Sequence, residues 1–246
     1  MDIYKKPEVQ FNTSSIHHES SHIKKSISKE IVEDDKKNIK LLMEHIKISF
    51  TEITSLLYIV NQKANNTMYD QDVVCYNGED YIMEEMDGLH FKIGAKSFFQ
   101  TNSEQAKILY RKTKELAKIT ENDLVYDLYT GTGTIAQYVA KSSKKVVGID
   151  SVEEGIIAAY ENAERNNIKN CTFYTGDMKE IFTDEFITKN GIHNVIITDH
   201  PRDGMHKKVV EQILKIGAKR IVYVSCNSAT QARDLALMDE KYKVIN

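Results

Sequence analysis

The sequence is poor in the features that mark several protein classes. Its three cysteines, Cys75, Cys171 and Cys226, lie far apart in 246 residues. No Cys-x-x-Cys pair exists, so neither a zinc site nor an iron–sulfur cluster can be assembled from this chain alone. Charge is nearly balanced, with a formal net charge of −3. There is no overall basic footprint for a nucleic acid, although a local patch would serve. Neither a secretory hydrophobic region nor a long apolar run occurs, so the chain reads as cytoplasmic, with reduced thiols and no membrane contact. Its hydrophobic content of 41% is ordinary for a globular protein. At this length, one substantial domain with a smaller appendage is expected.

What is present centres on Leu124-Val-Tyr-Asp-Leu-Tyr-Thr-Gly-Thr-Gly-Thr134. Leu124, Val125 and Leu128 suit a strand covered on both faces. Gly131 and Gly133 would let backbone approach a ligand closely, and Thr134 opens a helical pattern. In an open α/β sheet, ligands bind at this carboxyl edge. A second apolar strand, Val146 to Asp150, ends in an acid placed to accept hydrogen bonds from ribose hydroxyls. A nucleoside-containing cofactor is implied. A purely structural strand–turn–helix and a nicotinamide site both remain open on these residues alone, because Gly131-Thr-Gly133-Thr-Ile-Ala136 also fits the dinucleotide pattern.

Residues 1–35 are polar, rich in Ser, His and Lys, and read as a poorly ordered tail. His17, His18, His22 and His45 suit a solvated segment better than a metal site. Residues 36–97 read as a small α+β subdomain. It has an amphipathic helix from Lys36 to about Phe50, a strand at Ser55–Val60, a hairpin from Val73 to Met86 turning at Asn77-Gly78, and a short strand at Phe91–Ile93. Cys75, alternating within a strand, reads as a buried small hydrophobe. Residues 98–246 alternate helices and strands as a doubly wound parallel sheet. Asn102 or Ser103 would cap a helix from Glu104 to about Ile119. Strands are expected at 124–128, 146–150, 171–177, 194–199 and 220–226, and a sixth is expected to begin near Lys241.

Acids stand at four strand ends: Asp127, Asp150, Asp177 and Asp199. One such acid is often a helix cap; four on one edge favour a polar cofactor crevice. Cys226 sits at the carboxyl end of the fifth strand and precedes a helix opened by Asn227 and Ser228. Amides at a helix start favour a thiolate nucleophile. A buried structural cysteine is the competing reading, and Asp199-His-Pro-Arg202-Asp-Gly204, one strand away, tips the balance toward chemistry.

Four segments in order carry a resemblance: Phe98-Phe-Gln-Thr-Asn102, Asp127-Leu-Tyr-Thr-Gly-Thr-Gly133, Asp199-x-Pro-Arg202, and Val224-Ser-Cys-Asn-Ser-Ala-Thr-Gln-Ala-Arg-Asp234. From about Lys36 onward the chain resembles the RNA uracil-5 methyltransferases that use S-adenosylmethionine, and more those acting on 23S ribosomal RNA than on transfer RNA. The resemblance implies a class I, Rossmann-like methyltransferase fold. It also implies that Gln100, Tyr129, Thr134, Asp150, Asp177 and Asp199 surround S-adenosylmethionine, that Cys226 attacks C6 of uracil, and that Arg202 orients the loop or contacts phosphate. Attack at C6 makes C5 nucleophilic enough to take the methyl group, and the base must be unstacked to reach the pocket.

The sequence departs from the family pattern in several places. His200 stands where the family has proline, and Asp150 where it usually has glutamate. The N-terminal RNA-binding barrel, the iron–sulfur motif and the late general-base glutamate find no counterpart, so the chain reads as truncated at both ends. The expected activity is methylation of uracil C5 in RNA. The alternative is a catalytically impaired binding remnant of the family. Asp127 before the glycines and the Ser225-Cys226-Asn227 motif argue against a nicotinamide enzyme.

Overall fold

The computed structural model describes residues 25–31, 36–61, 63, 71–100 and 102–245. It divides into two compact units, one of Met1–Met83 with Gly94–Lys96 and one of Glu84–Ile93 with Ser97–Asn246.

In the first unit, β1 (Lys25–Ile31), β2 (Ile53–Val60) and β3 (Val73–Gly78) form a sheet in that order. β1 runs parallel to β2, and β3 antiparallel to it. The segment Lys25–Ile31 is therefore a strand, not part of a polar tail; the rest of the tail expected over 1–35 lies outside the described residues. Helix α1 (Lys36–Ser49) links β1 to β2 and buries Ile39, Met43 and Ile46 against Leu56. Those positions recur at i, i+4 and i+7, one helical face.

The hairpin expected at Asn77-Gly78 is not formed. β3 pairs with β2, while β4 (Tyr81–Met86) pairs with β5 (Leu89–Gly94). Gly78, at φ 81°, lies so close to the Thr54 carbonyl that a Cβ there would collide with it. The glycine serves a close approach of two backbones. The tight turn is instead Asp87-Gly88, with φ of 49° and 78°, the double positive φ that a two-residue hairpin requires. Cys75 is exposed, contrary to its alternation, and its thiol donates to the Gly78 carbonyl.

The second unit carries five parallel strands: β6 (Leu124–Leu128), β7 (Lys145–Asp150), β8 (Cys171–Thr175), β9 (Val195–Asp199) and β10 (Arg220–Val224). Their order is β10-β9-β6-β7-β8. The chain moves outward from β6 through β7 to β8, then returns to the other side of β6. The sheet is doubly wound, and its order reverses between β6 and β9. The intervening helices are α2 (Ser103–Ala117), α3 (Thr134–Ala140), α4 (Glu153–Arg165), α5 (Met178–Ile181), α6 (Asp184–Asn190), α7 (Lys207–Ile216) and α8 (Ser228–Met238). The short α5 and α6 were not expected. Asn102 caps α2, its side chain accepting from the Gln105 amide at 3.0 Å. The expected sixth strand is absent: Lys241–Ile245 is irregular, and Tyr242 turns back onto the core, its backbone N–H donating to the Met238 carbonyl.

The strands read as apolar runs because helices cover both faces. Tyr126, Leu128, Val147, Ile149 and Ile196 are fully buried in one cluster. At the outer edge, the Tyr160 hydroxyl of α4 donates to the Phe173 carbonyl of β8 at 2.8 Å and accepts from the Phe173 amide at 3.0 Å. Asn162 of α4 and Asn166, which caps its C-terminus, treat the hairpin alike. Asn162 pairs with both backbone groups of Lys92, at 2.7 and 3.2 Å. Asn166 pairs with both of His90, at 2.8 and 3.0 Å. Each side-chain amide supplies the donor and acceptor that a neighbouring strand would have supplied. Asp87 at the hairpin tip is bound by Arg111 of α2 and Tyr138 of α3.

Candidate functional site

Because the strands are parallel, every loop leaving a strand end lies on the same edge of the sheet. That edge carries Tyr129, Thr134, Asp150, Asp177, Asp199, Arg202 and Cys226. Crevices at an order reversal are where such sheets bind ligands.

The turn after β6 is shaped by its side chains. Tyr129 takes a left-handed φ of 64°, strained for a non-glycine residue. The Thr130 hydroxyl donates to Asp127 Oδ2 at 2.6 Å. The two glycines have different roles. A Cβ on Gly133 would come within 2.9 Å of Ala159 Cβ and 3.0 Å of the Phe173 ring, so its absence closes helix onto strand. A Cβ on Gly131 would meet nothing within 4 Å. Of these two glycines, Gly131 is the one that faces open space, so the room for close approach expected at both exists at Gly131 and not at Gly133. The Gly131 amide donates to Asp150 Oδ2 at 2.9 Å, and the Val152 amide to Oδ1 at 2.9 Å. A carboxylate accepts about four hydrogen bonds, so each oxygen keeps capacity for a ligand hydroxyl.

The acids set the electrostatics. Asp127 is fully buried, and among the described residues its Oδ1 has no hydrogen-bond partner. Burial pushes its carboxyl up to about 7, against the pull of Thr130, with the charges of Asp199 and Asp150 adding to the rise. Burial also raises Asp199, which the neighbouring His200 partly offsets. The Tyr129 phenol is pushed up to about 12, first by burial and then by the charges of Asp177, Asp234 and Asp150. Mutual influence of this kind requires proximity. Burial holds Asp127 and Asp199 back from ionisation, and a positively charged ligand beside them would favour their ionised forms.

The other expected residues are less uniform. Thr134 is buried, and its hydroxyl lies 3.1 Å from that of Thr132. Asp177 is exposed and caps α5, accepting from the Lys179 amide at 3.1 Å and pairing with the Lys179 ammonium at 2.9 Å. The ammonium first, and then the amide, hold its carboxyl below the usual range. Gln100 is half-buried in the loop before α2.

Cys226 is exposed, one residue before Asn227, the N-cap of α8. Ser225 Oγ accepts from the Asn227 amide at 3.1 Å and donates to the Asn227 carbonyl at 3.0 Å, which pins the cysteine within a turn. Asn227 Nδ2 donates to the Arg202 carbonyl at 3.0 Å, and Thr230 Oγ1 donates to it at 3.2 Å. These bonds hold the Arg202 backbone against the start of α8, the residue after Cys226 included. The Arg202 guanidinium is exposed and makes no hydrogen bond among the described residues. His200 is buried between Tyr223, at 4.7 Å between ring centroids, and Tyr129, at 6.4 Å. Its ring packs the loop base. Sequence reasoning missed the group beneath: Asp234, Tyr223 and Thr230. The Arg233-Asp234 pair was the available signal. Among the described residues no cluster of His, Cys, Asp and Glu could hold a metal ion, and no helix is long and apolar enough to cross a membrane. His45 is exposed on α1; His17, His18 and His22 lie outside the described residues.

A methyltransferase-domain family model matches residues 119–245. Proteins named uncharacterized RNA methyltransferase are similar to the chain: that of Bacteroides thetaiotaomicron is 57% identical over 87% of this chain and 47% of its own length. That of Porphyromonas gingivalis is 53% identical over 86% and 46%. The chain thus spans about half the length of the curated relatives it matches. Among solved structures, a tRNA (uracil-54, C5)-methyltransferase of Pyrococcus abyssi in complex with S-adenosyl-L-homocysteine is 31% identical with a TM-score of 0.68, over 87% of this chain and 50% of that one. A tRNA m1G37 methyltransferase of M. jannaschii shares the fold at 16% identity and a TM-score of 0.56, over 90% of this chain and 65% of that one.

Proposed function

The chain belongs to the methyltransferase-domain family, and from that premise we propose that it methylates C5 of a uracil in RNA, using S-adenosylmethionine and a covalent adduct at Cys226. The observation that supports this reading is that Asn227, next to Cys226, binds the Arg202 loop on the sheet edge that also holds the Gly131 turn and Asp150. The residues fit the cofactor. Gly131 is open to close approach, Asp150 has acceptor capacity for ribose hydroxyls, and a bound sulfonium or ammonium group would favour ionisation of the buried acids nearby. Gln100, Tyr129, Thr134, Asp177 and Asp199 are assigned to the same cofactor; for Thr134 the role is to shape the turn from beneath.

When bound, the cofactor supplies an electrophilic methyl group. The protein's own part is to make C5 of uracil able to take it. Cys226, as thiolate, adds to C6 and forms an S–C6 bond, and the electron pair of the C5–C6 bond shifts toward C5 and the O4 enolate. Once C5 has taken the methyl group, loss of the C5 proton to a base returns the pair, and the S–C6 bond breaks. The exposed Arg202 guanidinium is suited to an RNA phosphate beside the target.

The test uses RNA carrying 5-fluorouridine, in which C5 has fluorine where a proton would leave, so the S–C6 bond persists. We expect a cofactor-dependent adduct with the wild-type chain and none with Cys226→Ala. A 23S ribosomal RNA fragment, expected from the sequence, and transfer RNA, the substrate named for the archaeal neighbour, are both offered. Adduct formation without turnover on ordinary uridine would identify an impaired enzyme. Adduct formation by Cys226→Ala would remove the cysteine from the mechanism.

A further inference from the structure

We infer that Asp234 is a positioning residue, holding the Arg202 loop against the helix that follows Cys226 so that both side chains meet one bound nucleotide. The inference rests on the function proposed above and adds a residue that touches neither substrate nor cofactor.

Asp234 lies on α8, fully buried. Its carboxylate accepts from three directions: the Tyr223 hydroxyl of β10 at 2.6 Å, the Met205 amide at 2.7 Å and Arg233 Nε at 2.8 Å. Burial alone would raise its carboxyl; these donors, Tyr223 foremost, hold it below the usual range. One buried anion therefore ties the last strand, the helix and the end of the loop together. Arg233 extends the tie, Nη2 donating to the carbonyls of Asp203 at 3.0 Å and Met205 at 3.3 Å. Asn227 and Thr230 fix the Arg202 carbonyl from the same helix.

The loop closes on this group with no slack. At Gly204, φ is 80°, and a Cβ would collide with the Arg233 guanidinium and lie 2.9 Å from Asp234 Oδ2. The loop between Pro201 and Met205 thus has a single seat, and Asp234 is its floor. By contrast, Gly131 and Asp150 bind each other and make no hydrogen bond to this group; of the residues assigned to the cofactor, Tyr129 is the one whose phenol feels the Asp234 charge. Asp234→Asn keeps the shape of that carboxyl, so it should misplace the nucleotide-facing side chains while leaving the Gly131–Asp150 contact in place. Misplacement of a reacting group by about 1 Å can cost about a hundredfold in rate.

The test compares wild type, Asp234→Asn, Arg202→Ala and the double variant. It measures the rate of adduct formation on 5-fluorouridine RNA and, separately, S-adenosylmethionine affinity by calorimetry. For Asp234→Asn we expect adduct formation to slow by about tenfold to a hundredfold, with cofactor affinity within about twofold of wild type. Because Asp234 acts through the loop, the double variant should be no slower than the slower single one, a non-additivity that general loss of stability would not give. Additive effects, or cofactor affinity falling in step with adduct rate, would overturn the inference. If Asp234→Asn fails to fold by circular dichroism, Tyr223→Phe, which removes one donor, is held to the same criteria. A wild-type chain that forms no adduct sinks the proposed function and this inference with it; a wild-type adduct left equally fast in Asp234→Asn sinks this inference alone.

Discussion

Gly131 and Gly133 look alike in sequence and differ in what surrounds them. Both have positive φ, so an alanine at either is strained by about 1–2 kcal/mol. Gly133→Ala must also displace Ala159 or Phe173, and overpacking adds about 1–3 kcal/mol. Thermal unfolding should therefore show a larger loss of stability for Gly133→Ala. Calorimetry should show the larger loss of S-adenosylmethionine affinity for Gly131→Ala, whose new methyl projects into the crevice. The reverse pattern would mean that the ligand approaches elsewhere. Asp150→Ala removes an acceptor and also leaves the Gly131 and Val152 amides unpaired. We expect cofactor binding weaker by about 1–3 kcal/mol, and unchanged affinity in that variant would contradict the assignment.

At the level of the element, the five strands and their long helices were legible because each strand is an apolar run and each helix carries a 3.6-residue stripe. What failed were signals with two physical meanings. Asn77-Gly78 has turn chemistry, yet its glycine answers to the Thr54 backbone. Asp87-Gly88 has the same chemistry and does form the turn. Val244 and Ile245 suit a strand, but both are largely exposed and no partner among the described residues pairs with them. The edge acids and Cys226 were visible as strand-end residues, whereas the lock under the loop was not. Tyr223 of β10 and the Met205 amide of the loop reach Asp234 of α8 only through the fold. The hairpin's attachment was equally invisible, since Asn162 and Asn166 read as ordinary polar helix positions. Substituting Asn162 by Leu should strip Lys92 of its amide acceptor. Hydrogen exchange should then quicken at Lys92, with the β6–β10 amides unchanged.

For the whole molecule, two buried titrating groups pull stability in opposite directions. His193 is buried, and burial lowers it from 6.5 to about 4, against the pull of the Gly191 backbone. A depressed histidine contributes stability present above the unfolded value of 6.5 and lost as pH falls toward 4. Asp127, raised to about 7 from 3.8, contributes stability present below 3.8 and lost as pH rises through 7. Between about 4 and 6.5 the two slopes oppose. His193→Phe should gain about 2 kcal/mol over wild type at pH 5 relative to pH 8, read from urea midpoints. Asp127→Asn should gain instead as pH rises from about 4 to about 7. Parallel pH curves for all three proteins would refute the pairing. The Tyr160 hydroxyl on Phe173 has a consequence for how molecules meet. β8 ends the sheet at a residue whose outward amide and carbonyl are already taken, so a strand from another copy finds no template there. Tyr160→Phe would reopen that template, and light scattering at high concentration should register the result as growth of sheet-linked aggregates.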